Sequence, residues 1–221
     1  MSLLLSLADT RNPNSLASRL RRKRWELFRD LMVTVPRPIR ILDVGGTEAF
    51  WRDTSLLDDD FVEITILNVE FASQTEPRMR YVTGDARALP FSDRSFDVVY
   101  SNSVIEHVGD AADQARMAAE IQRVGKRFFV QTPNYFFPIE PHFLVPGFQF
   151  LPSDARAHIL HKFDLGWTKR EPEFARARDV VDSVKLLKRR DFVALFPAAT
   201  LYDERYLGMS KSFIAHGGFE R

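Results

Sequence analysis

The chain has 221 residues, 45% of them hydrophobic, with 31 Lys plus Arg against 30 Asp plus Glu for a formal charge of +1. That balance supplies no global field toward nucleic acid or an anionic membrane. The absence of cysteine excludes a disulfide framework, a thiolate metal site and a thiol nucleophile. The length suits one domain with a full core, spanning 1–221.

The opening Met1-Ser-Leu-Leu-Leu-Ser-Leu-Ala has too short an apolar run, and no basic region before it, to be a secretory signal. No later segment holds 18 consecutive apolar residues, so a soluble, cytoplasmic protein without membrane insertion is expected. Residues 14–33 place Leu16, Leu20, Trp25, Leu27, Phe28 and Leu31 at helical spacing beside Arg19, Arg21, Arg22, Lys23 and Arg24, and the basic run reads as a solvated face. Pro36 and Pro38 end that pattern. A first buried strand, 39–44, carries Asp43 and breaks into Gly45-Gly46, a turn that lets a ligand approach bare backbone. A helix is expected to start within 48–53, and Asp58-Asp59-Asp60 reads as a turn. Further strands are predicted over 62–69, 81–85, 95–101 and 127–132, with a helix over 111–124.

Strands alternating with helices imply an α/β fold, a mostly parallel sheet with helices on both faces. From Pro133 the pattern changes: Pro138, Pro141, Pro146 and Pro152 punctuate an aromatic stretch without clear periodicity. The chain thus divides into an N-terminal helical segment (1–36), a core (37–135), an insertion or lid (136–184) and a closing segment (185–221). In the last, a helical pattern over 185–196 precedes a hairpin of strands 199–206 and 211–216.

Three blocks in order, Ile41-Leu-Asp-Val-Gly-Gly46, Gly84-Asp-Ala-Arg-Ala-Leu-Pro-Phe91 and Ser95-Phe-Asp-Val-Val-Tyr-Ser-Asn-Ser-Val-Ile-Glu-His-Val108, make the chain similar to the class I S-adenosylmethionine-dependent methyltransferases, in particular the small-molecule, methyltransferase type 11-like group. The resemblance covers 38–133. It implies a Rossmann-like, seven-stranded, mostly parallel sheet with a reversed last strand, and S-adenosyl-L-methionine as cofactor. Carried over position by position, it places Gly45 and Gly46 under the methionine part and Asp43 beside the loop. Asn68, or Glu70 on the same strand face, would take the ribose hydroxyls, Asp85 the adenine amino group, and the Ala86 amide a ring nitrogen. Ser101, Asn102 and Ser103 would line the methionine end. The family's Gly-x-Gly-x-Gly loop is here Gly45-Gly46-Thr47-Glu48-Ala49, one glycine short.

Methyl transfer needs an aligned acceptor, exclusion of water and often a base. Loops over the carboxyl edge offer Glu106-His107 and Glu140-Pro141-His142; His142 ranks first and His107 second, since Glu106-His107 is expected to begin a helix, which favours a packing or capping role for His107 over catalysis. Tyr135, Phe136, Phe137, Phe143, Phe148 and Phe150 would form either an apolar lid or a secondary core. His158 and His161 lack a third ligand of suitable spacing, so no metal is expected, and His216 reads as structural. Thr132-Pro133-Asn134-Tyr135 follows the fifth strand, not the fourth, so Pro133 reads as a strand terminator and no nucleic-acid acceptor is expected. The leading expectation is methyl transfer to a small-molecule or glycan-type acceptor at oxygen. The alternatives are a catalytically inactive binding subunit and a nicotinamide-dependent dehydrogenase, although the dehydrogenase Gly-x-Gly-x-x-Gly is absent.

Overall fold

The computed structural model describes residues 12–52, 54–70 and 75–219. Its centre is a seven-stranded sheet: β1 (Ile39–Val44), β2 (Val62–Asn68), β3 (Met79–Thr83), β4 (Val98–Asn102), β5 (Phe128–Pro133), β6 (Thr200–Tyr206) and β7 (Met209–Gly217). The spatial order is β3-β2-β1-β4-β5-β7-β6. The first five strands pair parallel, and β7 runs antiparallel to both β5 and β6, so β7 is the single reversed strand of the α/β, Rossmann-like sheet.

Alternation along the strands sends apolar side chains to both faces, as a parallel sheet requires. On one face Ile39, Ile41, Ile64, Ile66, Val98 and Phe129 meet Phe28 and Met32 of helix α1 (Leu16–Met32) and Trp51 of the short helix α2 (Glu48–Arg52). On the other, Leu42, Val44, Val99 and Val130 pack against Met117, Ile121 and Val124 of α3 (Ala111–Val124). Asp110 starts α3 with a capping box shared with Asp113, which satisfies backbone donors that a helix leaves free.

The structure shifts several expected elements. β3 ends at Thr83, leaving Asp85 in the turn beyond the strand tip. The fourth strand begins at Val98, because Asp97 turns its carboxylate onto the Arg40 amide (2.9 Å) and Lys126 Nζ (2.7 Å). Between β3 and β4 runs a loop instead of a helix. Arg123 of α3 pins it through Phe91 O (2.8 Å) and Leu89 O (3.1 Å), and Glu120 accepts from the Leu89 amide (2.8 Å).

The expected helix over 185–196 is reduced to α6 (Arg189–Leu195), since Lys185 and Leu187 hydrogen-bond in extended form to Glu106, Gln114 and Tyr135. The segment 136–184, aperiodic as a sequence, contains helices α4 (Ser153–Lys162) and α5 (Phe174–Asp182). They share a separate core of Phe143, Phe148, Ala157, Leu160, Leu165, Ala177 and Val181. Among the described residues no helix is long and apolar enough to cross a membrane.

Of the basic run on α1, Arg19, Arg21, Arg22 and Lys23 are exposed. Arg24 departs from the expected solvated face. It is buried and forms a bidentate ion pair with Glu204 (Nε to Oε1 2.9 Å, Nη2 to Oε2 2.6 Å), and it also donates to Asn102 and Gln131. Burial opposes the charge, yet Glu204 outweighs it and raises the Arg24 pKa.

Candidate functional site

The carboxyl ends of β1 to β4 open onto one cavity of about 570 Å³, the place where parallel α/β sheets bind ligands. Gly45, Asn68, Asp85, Ala86, Ser103 and His107 all line it. Gly45 has φ +77°, and a β-carbon there would stand 2.5 Å from Val104 Cγ1, so only glycine fits. Asn68 donates through Nδ2 to Gly46 O (3.2 Å) and accepts the Val69 amide (2.8 Å), which ties the glycine turn to the tip of β2.

Asp85 closes an Asx turn onto the Arg87 amide (2.8 Å) and grips the Arg87 guanidinium, with Nε at 2.9 Å from both oxygens. Hydrogen bonds from Arg87 hold the Asp85 pKa below its usual value, so the carboxylate stays charged. Arg87 also reaches Asp113 (3.0 Å), fixing the loop against the start of α3. Ser103 sits at φ +56°, an uncommon conformation for a residue with a side chain. It is held by its amide to Gln131 O (3.0 Å) and its hydroxyl to Gln131 Oε1 (2.8 Å).

Five expected cofactor residues lie behind or beside the cavity, among them Gly46, where a β-carbon would meet Asp43. Asp43 is buried beneath the turn, with Trp51 Nε1 donating to Oδ2 at 2.6 Å and Oδ1 lacking a partner; burial raises its pKa to about 7, against the hydrogen bond from Trp51. Ser101 is buried and donates to Val44 O (3.1 Å), and Asn102 is engaged by Arg24. Glu70 is exposed past the end of β2, outside the cavity lining. Glu48 is held off by Tyr81 (2.5 Å) and Thr75 (2.7 and 3.0 Å), bonds that lower its pKa to about 2.

The two candidate bases meet. The His107 and His142 rings lie perpendicular with centroids 4.7 Å apart. His142 Nδ1 is 2.6 Å from Glu140 Oε1, while Glu140 Oε2 accepts the amides of His142 (2.8 Å) and Phe143 (2.7 Å). Burial alone would lower the His142 pKa, but Glu140 and the charge of Glu106 raise it. Partial desolvation of the otherwise exposed ring, with His142 nearby, lowers that of His107 to about 4.

Sequence reasoning named Glu106 and Glu140 only as neighbours of these histidines. Glu106 is fully buried on a single turn (Ile105–His107), accepts from Thr132 Oγ1 (3.0 Å) and leaves Oε1 without a partner; burial raises its pKa to about 7. His158 and His161, in contrast, bond to backbone carbonyls of Asp154 and Glu171, and His216 stacks on Phe129.

A glycine turn at the mouth of the cavity where Gly45 holds φ +77° and no side chain fits, with Asn68 and Asp85 at neighbouring strand tips, fits a nucleoside cofactor and defines an α/β cofactor-binding domain. Residues 54–127 match the family model described as a methyltransferase domain. An uncharacterized protein of Mycobacterium tuberculosis is 37% identical over 57 residues, 26% of this chain and 20% of that protein. A protein of Mycolicibacterium smegmatis named a probable S-adenosylmethionine-dependent methyltransferase is 33% identical over 99 residues, 42% of this chain and 38% of that protein. The matched part therefore spans well under half the length of these relatives. In fold, an S-adenosylmethionine-dependent methyltransferase of Methanosarcina mazei aligns with a TM-score of 0.51 at 14% identity, covering 80% of this chain and 90% of that one. Over these matched parts and in its fold the chain is similar to the class I S-adenosylmethionine-dependent methyltransferases, and S-adenosylmethionine is the cofactor of that class.

Proposed function

We propose that this chain transfers a methyl group from S-adenosylmethionine to an oxygen of a small-molecule or glycan-type acceptor. The observation that carries the reading is the meeting of His107, which lines the cofactor cavity, with His142, which is oriented from behind by the buried Glu140. When bound, the cofactor supplies an electrophilic methyl on a sulfonium. The chain's own residues then do the rest. Gly45 would admit the methionine part, Asn68 and Asp85 would offer acceptors to the nucleoside, and the Ala86 amide would serve the adenine. Glu140 fixes the His142 tautomer with Nδ1 protonated, which leaves Nε2 to take the acceptor's proton.

A second cavity of about 290 Å³, lined by Tyr135, Glu140, Phe143, Gln149, Arg156 and Lys185, adjoins this pair through Glu140 and supports a small acceptor over a polymer. Gln149 Oε1 and Arg156 Nε are buried there without partners, polar groups suited to a hydroxylated ligand. The near-neutral charge supports the same choice over nucleic acid.

The test is calorimetry with S-adenosylhomocysteine, followed by methyl transfer from labelled S-adenosylmethionine to a panel of hydroxylated acceptors. Turnover that falls roughly 100-fold in His142→Ala with unchanged cofactor affinity would support the assignment. Cofactor binding without turnover on any acceptor would favour an inactive binding subunit, and absence of binding would sink both readings.

A further inference from the structure

We propose that Glu106, His107 and His142 form a binding site for one first-row divalent transition cation at the margin of the cofactor cavity. The three residues each offer a ligand atom, and these atoms all lie within 4.8 Å of one another. They come from two loops, the turn after β4 and the start of the insertion, so the approach of His142 to the adjacent pair Glu106-His107 is a product of the fold and not of sequence spacing.

Three features separate this cluster from incidental proximity. First, Glu106 is 0% exposed and its Oε1 has no hydrogen-bond partner. A buried, unpaired carboxylate oxygen is costly unless a proton or a cation satisfies it. Secondly, Glu140 stands behind His142 at 2.6 Å from Nδ1 and is itself locked by two backbone amides. A carboxylate on the far nitrogen of an imidazole fixes the tautomer and turns the other nitrogen outward as a more basic ligand. Thirdly, among the described residues no side-chain hydrogen bond engages the His107 ring, which lines the cavity and faces His142 edge to face.

The donor set selects the ion. Two imidazoles and one carboxylate suit Zn²⁺, Fe²⁺, Co²⁺ or Mn²⁺, whereas Ca²⁺ and Mg²⁺ favour oxygen-only sets. Tetrahedral ligands at about 2.0 to 2.1 Å from a metal stand roughly 3.4 Å apart, so the widest pair closes by about 1.4 Å on binding. The exposed His107 ring can make that movement. Three protein ligands leave a coordination position free, and His107 brings the site to the edge of the cofactor cavity. One carboxylate charge against a dication leaves a net positive centre, which attracts an acceptor oxygen and acidifies a bound hydroxyl.

This last role rests on the methyl-transfer reading; cation binding does not. With the cation in place His142 Nε2 is a ligand, and the acceptor's proton leaves to solvent instead of to the imidazole.

The test uses the full chain, stripped with chelator and titrated with Co²⁺ while the visible d-d absorption is followed, then displaced with Zn²⁺. One equivalent of Co²⁺ with a low-symmetry visible band is expected. Affinity should fall at least 100-fold in His142→Ala and in His107→Ala, and 10- to 100-fold in Glu140→Gln, where the ligands remain but their orientation is lost. Circular dichroism checks the fold, and His107→Ala, at an exposed ring, keeps the test decisive if a buried variant unfolds. No stoichiometric uptake, or equal affinity in wild type and His107→Ala, would overturn the site. Loss of S-adenosylhomocysteine binding with cation uptake intact would instead count against the methyltransferase reading alone.

Discussion

Gly46 passes so close over Asp43 that a β-carbon built on it would stand 1.6 Å from Oδ2. The glycine turn therefore rests on the very carboxylate that ends the apolar run of β1, and Trp51 braces that carboxylate from the other side at 2.6 Å. The constraint at Gly46 is steric, whereas at Gly45 the positive φ adds to it.

Gly46→Ala should push the turn into the cofactor cavity. We expect S-adenosylhomocysteine binding to weaken at least about tenfold and stability to fall by about 1 to 3 kcal/mol, the usual cost of overpacking. Calorimetry and urea unfolding check both. Removing the opposing side chain as well, in Gly46→Ala/Asp43→Ala, should recover part of the affinity. Wild-type affinity in the single variant would mean that the turn is slack.

Asp43 also sets a pH dependence. Burial raises its pKa from 3.8 to about 7 in the folded chain. The folded state thus keeps a proton that the unfolded state releases at lower pH, and the stability this contributes is lost as pH rises toward 7. Asp43→Asn removes the titration. Its stability relative to wild type should rise by roughly 2 kcal/mol between pH 5.5 and pH 8, read from urea midpoints at the two values. A constant difference would place the charge of Asp43 in a solvated setting.

What was legible in the sequence was what local chemistry dictates. An apolar run ending in Asp43-Val44-Gly45-Gly46 has one reading as a strand and turn, and the Asp110 cap marks the start of α3. Long-range placement was not legible. Helix α4 buries only Ala157 and Leu160 among Arg, His and Lys, too few apolar positions to announce a period. Nothing in five neighbouring basic residues shows that Arg24 alone turns inward, because its partner Glu204 is 180 residues away. Glu106 likewise looked like the start of a helix, and its sealed, unpaired oxygen exists only once Thr132 and the insertion close around it.

Asp85 reaches the cofactor cavity with both oxygens already engaged by Arg87. An adenine amino group must share a carboxylate that is charged at neutral pH, which a carboxylate's several lone pairs allow. Asp85→Ala should weaken S-adenosylhomocysteine by about 1 to 3 kcal/mol, and Asp85→Asn, which keeps a carbonyl acceptor, by less. Because the carboxyl pKa is held low, the affinity contributed here should be flat between pH 6 and pH 8. Unchanged calorimetric affinity in Asp85→Ala would remove the adenine role.

Arg24 and Glu204 join the N-terminal helix to the last hairpin through a pair whose side chains are 10% and 3% exposed. Burying two charges is costly, and their bidentate contact offsets that cost only while both are present. Arg24→Ala would strand Glu204, and would remove a donor from Asn102 at the tip of β4 and from Gln131, which would keep only the Ser103 hydroxyl on Oε1. We expect a loss of about 3 to 5 kcal/mol in urea unfolding for Arg24→Ala. The double variant Arg24→Met/Glu204→Met should cost less than either single change, since apolar replacements of similar volume leave no unpaired charge. Additive losses in that cycle would show the two residues acting independently, with the helix held by Phe28 and Met32 alone.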